Sequence, residues 1–197
     1  CQTAAPSPPL SATEVRSGSA RPAASKDLRQ QWLEMFARGY FPGRSGQVFY
    51  VPHEGDFLVE KDPLLVFMHG SPWSYDTHIP LFFYGPGFIR RGTWSEPTSH
   101  QDVVPTLATV MQIAPPVTTT GHVLRQVIES AAARPRVVAL FVLDATRADY
   151  FETHADQMPT LKRLRENGAV FTNTRVTSLP TATSIGEVLP AASHQPP

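Results

Sequence analysis

Apolar residues recur at helical spacing in several stretches of this 197-residue chain. The pattern predicts helices over residues 26–39, 100–113, 122–132 and 158–167. In the second of these, Asp102 is the expected N-cap and Pro105 falls in the first turn, where proline is tolerated. Gly168 is expected to end the last helix.

Short runs rich in β-branched and aromatic residues, separated by Pro, Gly and Asp, predict strands between these helices. The runs are GQVFYVP (46–52), DFLVE (56–60), LLVFM (64–68), IPLFFYG (79–85), VVALFVLD (137–144) and AVFTNTRV (169–176). The run 137–144 is almost wholly apolar, which is typical of a strand buried on both faces of a mostly parallel sheet. Strands that alternate with short helices predict an α/β layered fold.

Length, proline content and charge limit the classes of protein to which this chain can belong. The chain is long enough for one ordinary domain, and it shows no internal repeat. Its 20 prolines are about twice the average share, so long uninterrupted helices are not expected. Lys plus Arg equals Asp plus Glu at 17 each, which gives no electrostatic reason for a nucleic-acid or acidic-membrane partner. No run of about 18 apolar residues is present, so the sequence predicts no transmembrane span.

Cys1 is the only cysteine, so the sequence offers neither an intrachain disulfide nor a CxxC metal site. A chain that begins with Cys and continues as a small and polar run resembles a mature bacterial lipoprotein. The other interpretation is that a longer chain was cut at this point. On the lipoprotein interpretation, residues 1–25 are a flexible spacer, a lipid on Cys1 is the one link to a membrane, and the protein is expected in the periplasm or cell envelope.

Two polar residues are candidates for chemistry in the second half of the chain. Asp144 is predicted at the carboxyl end of a buried strand, where open α/β sheets place ligand and metal groups, although a lone Asp there is more often an N-cap or turn residue. Thr183, in the Pro-Thr-x-Thr turn, is predicted at a neighbouring strand end. A carboxylate and a hydroxyl so placed can converge on one divalent cation, which a threonine hydroxyl needs to become a nucleophile.

The stretch from VVALFVLD through MPTLKRLRENGAVF to PTAT resembles the amino-terminal part of the alkaline phosphatase superfamily, in particular its nucleotide pyrophosphatase/phosphodiesterase branch. In that pattern a strand ends in a metal-binding Asp, a helix and a strand follow, and the second Thr of the last motif is the nucleophile. The resemblance implies that Asp144 is a zinc ligand. It also implies that Thr183 coordinates the metal and takes a covalent phosphoryl group.

An earlier block resembles the carboxyl-terminal part of the phosphate-monoesterase branch of the same superfamily. It comprises GYFPGRSGQVFYVP, FMHGSPWSYDTHIPLFFYGPGFIRRG and QDVVPTLATVMQIAPP. The resemblance implies that His69, in the HGS motif, is a ligand of the other zinc ion; the alternative is a loop histidine bonded to backbone. Asp76 and His78, in the same block, are expected to serve loop structure.

The two blocks, residues 26–133 and 134–197, stand in the reverse of the family's order. Circular permutation and the fusion of two incomplete copies both explain this order, and the sequence leaves both open. The Asp-x-x-x-His pair and the Asp-His dipeptide of the family's central region do not occur in the sequence. The resemblance ends at Glu187, as it would after a frameshift, a truncation or a clipped chain. The expected fold is therefore an incomplete alkaline-phosphatase-like layered α/β/α sheet.

Two classes of function follow. The first is a partial or circularly permuted metal-dependent phosphatase or phosphodiesterase that hydrolyses a small phosphate ester through Thr183. The second is a catalytically inactive remnant or a lipid-anchored module without enzymatic activity. The resemblance implies two zinc ions, but His69, Asp144 and Thr183 give one protein ligand for the first metal and two for the second. This chain alone is therefore not expected to retain them.

Overall fold

The computed structural model describes residues 27–56, 69–129 and 133–179. The helices are α1 (Leu28–Gly39), α2 (Ser74–Thr77), α3 (Val103–Val110), α4 (Tyr150–Thr153) and α5 (Pro159–Glu166). The strands are β1 (His78–Phe83), β2 (Gly92–Trp94), β3 (Thr98–Ser99) and β4 (Ala169–Arg175), and single 3₁₀ turns span His100–Asp102, Arg125–Val127 and Ala155–Gln157. Within the described ranges, no helix has the length and apolar character needed to cross a bilayer.

Strand β4 is the centre of a mixed four-stranded sheet. β1 pairs with one edge of β4 in antiparallel orientation, while β2 and β3 pair with it in parallel orientation, at its start and its end respectively. β1, β2 and β3 come from the earlier sequence block and β4 comes from the later one, so the two blocks share one sheet. A mixed sheet with accompanying helices confirms the predicted α/β class.

The core lies between this sheet and α3. Phe83 and Phe171 meet edge to face across β1 and β4, with ring centroids 6.1 Å apart, and Trp94 stacks on Phe171 at 5.7 Å. Val103 from α3 and Val127 from a 3₁₀ turn complete the same cluster. The buried side chains thus come from both blocks, which ties the later strand to the earlier elements through apolar burial as well as through the sheet.

A buried carboxylate holds the start of α3 to the chain that follows the helix. One oxygen of Asp102 accepts the backbone N–H of Ser99 at 2.8 Å, and the other accepts the N–H of His122 at 2.7 Å. Beside it, the Thr106 hydroxyl donates to the Asp102 carbonyl at 2.6 Å and accepts the Leu124 N–H at 2.9 Å. The predicted helix at 100–113 is confirmed by α3. Asp102 directly precedes α3, but its side chain completes a capping box with Ser99 at the preceding turn.

The predicted helices at 26–39 and 158–167 and the predicted strands at 79–85 and 169–176 are confirmed by α1, α5, β1 and β4. Three other predictions that fall on described residues are wrong. They are the strand at 46–52, the helix at 122–132 over its described part, 122–129, and the strand at 137–144. The predicted strand at 64–68, and all of the one at 56–60 except Asp56, lie outside the described residues.

Each of the three errors has a physical reason. The segment 46–52 is a loop in which Phe49 packs on Phe36 of α1, with ring centroids 4.9 Å apart. In the segment 122–132, the contacts with Asp102 and Thr106 and an antiparallel bridge between Ile89 and Ile128 hold the backbone extended on both sides of a 3₁₀ turn, so tertiary hydrogen bonds override the helical pattern.

The apolar run 137–143 pairs with no strand of the described sheet. Both edges of β4 are occupied, by β1 on one side and by β2 and β3 on the other, and a run without a ladder is not a strand. Val137 is 81% exposed and Phe141 is 80% exposed. The predicted burial of this run on both faces is therefore wrong for the described structure.

Candidate functional site

The HGS motif forms a turn directly before α2. Gly70 has a φ of +106°, a conformation that strongly favours glycine. One carboxylate oxygen of Asp76 in α2 accepts the backbone N–H of Ser71 at 2.9 Å, which fixes the turn that carries His69. His78 Nε2 lies 2.9 Å from the carbonyl oxygen of Thr172 in β4. Asp76 thus serves loop structure, as the sequence predicted, whereas His78 lies in β1 and contacts β4 instead of a loop.

Asp144 also lies in a tight turn. One of its carboxylate oxygens accepts the N–H of Ala145 at 3.0 Å, and the Thr146 hydroxyl donates to the Asp144 carbonyl at 3.2 Å. Ala145 has a φ of +53°, a left-handed conformation that costs a residue with a Cβ about 1–2 kcal/mol. Backbone strain of this kind is concentrated at functional sites, and here it directly follows the candidate ligand.

The structure brings His69 and Asp144 together from two distant parts of the sequence. His69 Nε2 lies 3.0 Å from Asp144 Oδ1, and the two side chains are 32% and 70% exposed. In this contact the imidazole N–H donates to the carboxylate. Both side chains are partly exposed, so a ligand or an ion can approach the pair. The third sequence candidate, Thr183, lies outside the described residues.

A second contact joins the same two turns. The guanidinium group of Arg147 lies over the ring of Tyr75, 5.3 Å from its centroid. Arg147 Nε and Nη2 also donate to the two carboxylate oxygens of Asp149 at 3.0 and 2.8 Å. This hydrogen-bonded pair lowers the pKa of Asp149 below its ordinary value and raises the pKa of Arg147. Sequence reasoning missed Tyr75, Arg147 and Asp149; the Arg-x-Asp spacing just after Asp144 was the available signal.

Helices α1 and α2 fix the chain that leads from β4 towards Thr183. The backbone N–H of Val176 donates to the Thr77 carbonyl at 2.9 Å. Arg38 Nη1 donates to the Thr177 carbonyl at 2.9 Å. Ser178 is fully buried, and the N–H of Leu179 donates to a carbonyl of α1 at 3.3 Å. The backbone is thus anchored beside α2, which follows the His69 turn, up to four residues before Thr183.

The donor atoms of His69 and Asp144 fit part of a zinc site. Imidazole nitrogen and carboxylate oxygen are both zinc ligands, and two ligands of one tetrahedral zinc ion, each about 2.0–2.2 Å from it, lie about 3.3 Å apart. The observed 3.0 Å is close to that separation, and the pair can equally face two adjacent ions about 4 Å apart. Residues 27–56, 69–129 and 133–179 contain no group of three or more His, Cys, Asp or Glu that could hold a metal ion.

The sequence of this chain is similar to one protein family and to parts of two longer proteins. Residues 138–188 match the family model of type I phosphodiesterase/nucleotide pyrophosphatase. A protein named calcium-transporting ATPase from Myroides odoratus is 33% identical over 107 residues, which cover 54% of this chain and 19% of that protein. A Sulf-1-type extracellular sulfatase homologue from Caenorhabditis elegans is 26% identical over 95 residues, which cover 48% of this chain and 13% of that protein. No solved structure matches the chain at comparable significance.

The matched family segment includes both Asp144 and Thr183. The chain spans less than a fifth of the length of each of the two relatives, so their full activities belong to longer proteins. The family match and the likeness to a sulfatase nevertheless agree on one group of hydrolases. The resemblance of this chain to the alkaline phosphatase superfamily is therefore confirmed, and its residues 138–188 carry the type I phosphodiesterase/nucleotide pyrophosphatase pattern.

Proposed function

We propose that this chain carries part of the active site of a phosphate-ester hydrolase of the phosphodiesterase/alkaline phosphatase type. The observation that carries the proposal is the 3.0 Å contact between His69 Nε2 and Asp144 Oδ1. The two residues are predicted metal ligands from separate sequence blocks. Nothing in the local sequence of either block requires them to meet. Their meeting at an accessible position supports a shared function.

In the proposed site, His69 and Asp144 are metal ligands and Thr183 is the nucleophile and a further ligand. Bound zinc would supply positive charge that favours the deprotonated hydroxyl and the leaving oxygen of the ester. The Thr183 oxygen forms a bond to phosphorus while the bond from phosphorus to the ester oxygen breaks, and the alcohol departs with one proton. Water then cleaves the phosphothreonine, which returns the hydroxyl and releases phosphate or a phosphate monoester.

We further propose that the two sequence blocks form one domain with a permuted order of segments. The support is the position of β4, which pairs with β1 on one edge and with β2 and β3 on the other. A fusion of two incomplete copies that fold separately would instead place β4 in a sheet of its own. The proposed substrate is a small phosphate ester, since the balanced charge of the chain favours no polyanionic partner. The extracellular relative supports a location outside the cytoplasm.

Zinc titration of the full chain, followed by the imidazole resonances of its histidines, tests the ligand roles. We expect excess zinc to bind weakly and to shift the resonances of His69. His69→Ala should weaken the zinc response of the backbone signals of Asp144 and Ala145, and Asp144→Asn should weaken that of His69. His53 provides a matched control, because its Nδ1 lies 3.7 Å from Asp56 Oδ2 in another exposed His–Asp pair. The proposal is wrong if His53→Ala weakens zinc binding as much as His69→Ala does, or if the His69 resonances do not respond.

Turnover of an aryl phosphate and of a bis-aryl phosphate tests whether this chain alone forms a complete active site. For this chain alone we expect no hydrolysis above background even with zinc supplied, because three ligand positions shared between two metals are too few to hold either firmly. Turnover that disappears in Thr183→Ala, with about two zinc ions bound per chain, would contradict this expectation. It would show that the remaining ligands come from residues not yet identified or from a second chain.

A further inference from the structure

The two turns that carry the candidate ligands are also joined by a cation–π contact between Arg147 and Tyr75, which are not themselves candidate ligands. Tyr75 belongs to α2, the short helix that follows the His69 turn, and its hydroxyl accepts the backbone N–H of Gly55 at 3.1 Å. Arg147 lies three residues after Asp144 and covers the Tyr75 ring at 5.3 Å. The paired oxygens of Asp149 hold the guanidinium plane in a fixed orientation.

The position of the Asp144 turn relative to His69 depends on such a contact. The run 137–143 that precedes it is exposed and pairs with no strand of the described sheet, so it cannot position the turn. Asp144 itself is 70% exposed. After the turn the chain is anchored at Phe151, seven residues beyond Asp144, which is buried and packs on Phe82 at 6.0 Å. A contact closer to the turn is therefore needed to hold the carboxylate against the imidazole.

We propose that Arg147 is a positioning residue that holds Asp144 beside His69 by stacking on Tyr75. This inference rests on the proposed role of the His69–Asp144 pair as metal ligands. The competing interpretation is that Arg147 and Asp149 form an ordinary surface ion pair, since both side chains are about half exposed and such pairs contribute little. The two interpretations differ in what they predict for the ligand pair when the guanidinium is removed.

The test compares Arg147→Met with a matched control in the full chain. Arg165 also lies 5.3 Å from the centroid of an aromatic ring, that of Phe151, so Arg165→Met removes a contact of this kind elsewhere, together with a hydrogen bond to the Phe151 carbonyl. Proton nuclear Overhauser effects between the His69 imidazole and Asp144 or Ala145 report the geometry directly and require neither metal nor turnover. We expect Arg147→Met to lose these signals and Arg165→Met to keep them.

Zinc titration of the same variants gives a second measure. We expect Arg147→Met to weaken the zinc response of His69 about ten-fold, the lower end of the range for loss of a residue that orients a metal ligand, and Arg147→Lys to restore part of it. Tyr75→Leu should have the same effect as Arg147→Met, and the double variant should be no worse than either. If Arg147→Met does not fold, the same measurements on Tyr75→Leu test the contact by removing its aromatic ring.

The outcomes separate this inference from the proposed function. Retention of the Overhauser effects in Arg147→Met, or additive effects of the two substitutions, would overturn the positioning role while leaving the ligand roles intact. A zinc response that is the same in wild type, His69→Ala and Asp144→Asn would overturn the ligand roles. The Overhauser effects would still decide whether Arg147 holds the two turns together.

Discussion

Two phenylalanines test whether the run before Asp144 is exposed, as the structure has it, or buried, as its apolar sequence predicts. Phe141 lies in this run and is 80% exposed, whereas Phe171 in β4 is 2% exposed. Phe171 also contacts two aromatic rings, at 6.1 Å for Phe83 and 5.7 Å for Trp94. The same change, Phe to Ala, should therefore have very different effects on the free energy of unfolding.

The expected magnitudes follow from burial. Full burial of a phenylalanine side chain stabilises by about 1.5–3 kcal/mol, so the fifth of the Phe141 surface that is covered contributes about 0.3–0.6 kcal/mol. Phe171→Ala should cost about 3–5 kcal/mol, because it removes the buried ring and leaves a cavity in the core. That cost approaches the whole stability of a small domain, so Phe171→Leu, at about 1–2 kcal/mol, provides a measurable second variant.

Urea denaturation followed by tryptophan fluorescence measures both effects. Trp94 stacks on Phe171, so its emission reports unfolding of the core. We expect Phe141→Ala and Phe141→Leu to leave the urea midpoint almost unchanged and Phe171→Leu to lower it clearly. A loss of more than about 2 kcal/mol in Phe141→Ala would refute the reasoning, since an exposed ring has no such contribution to lose, and would favour the buried strand that the sequence predicted.

Three further predictions concern stability. Asp102→Ala should cost about 2–5 kcal/mol in urea denaturation, because two part-buried backbone N–H groups lose a charged acceptor; a loss below about 1 kcal/mol would contradict this. Gln112, which follows α3 with a φ of +56°, should be better replaced by glycine, and Gln112→Gly should raise Tm by about 1–4 °C. Asp149→Asn should cost less than about 1 kcal/mol at pH 7, since the pair with Arg147 is half exposed. The pKa of Asp149 is lowered, so this stabilisation is present above its ordinary value of 3.8 and disappears as pH falls through the folded-state pKa; thermal melts of both proteins should converge there.

The elements that the sequence predicted correctly are those whose pattern matches their burial. α5 and β4 carry periodic apolar residues and end at clear signals, and both form where predicted. Gly168 illustrates how a correct signal can have a second cause. It ends α5 as expected, but a Cβ at this position would also lie 2.2 Å from the Phe83 carbonyl oxygen of β1, so glycine permits the close approach of β1 to β4.

The errors arise where contacts between distant residues decide the backbone. Leu124 and Val127 have helical spacing, yet Asp102 and Thr106 hold the chain around Leu124 by hydrogen bonds to its backbone. A single sequence does not show that the Asp102 carboxylate will reach a residue 20 positions later. The run 137–143 fails for a related reason, because its apolar composition is compatible with a buried strand but does not supply the neighbouring strand edge that one requires.

The candidate site was partly predictable because its two described candidate ligands stand in recognisable motifs, although the predicted strand that was to carry Asp144 is absent. The separation of His69 and Asp144 depends instead on polar contacts of the turns. Asp76 fixes the backbone of the His69 turn, and Arg147 joins the Asp144 turn to Tyr75. Hydrophobic periodicity carries no information about these contacts. A site held in this way should be sensitive to substitution of exposed charged residues near the ligands and tolerant of changes in the apolar run before Asp144, which is the reverse of what a buried strand would give.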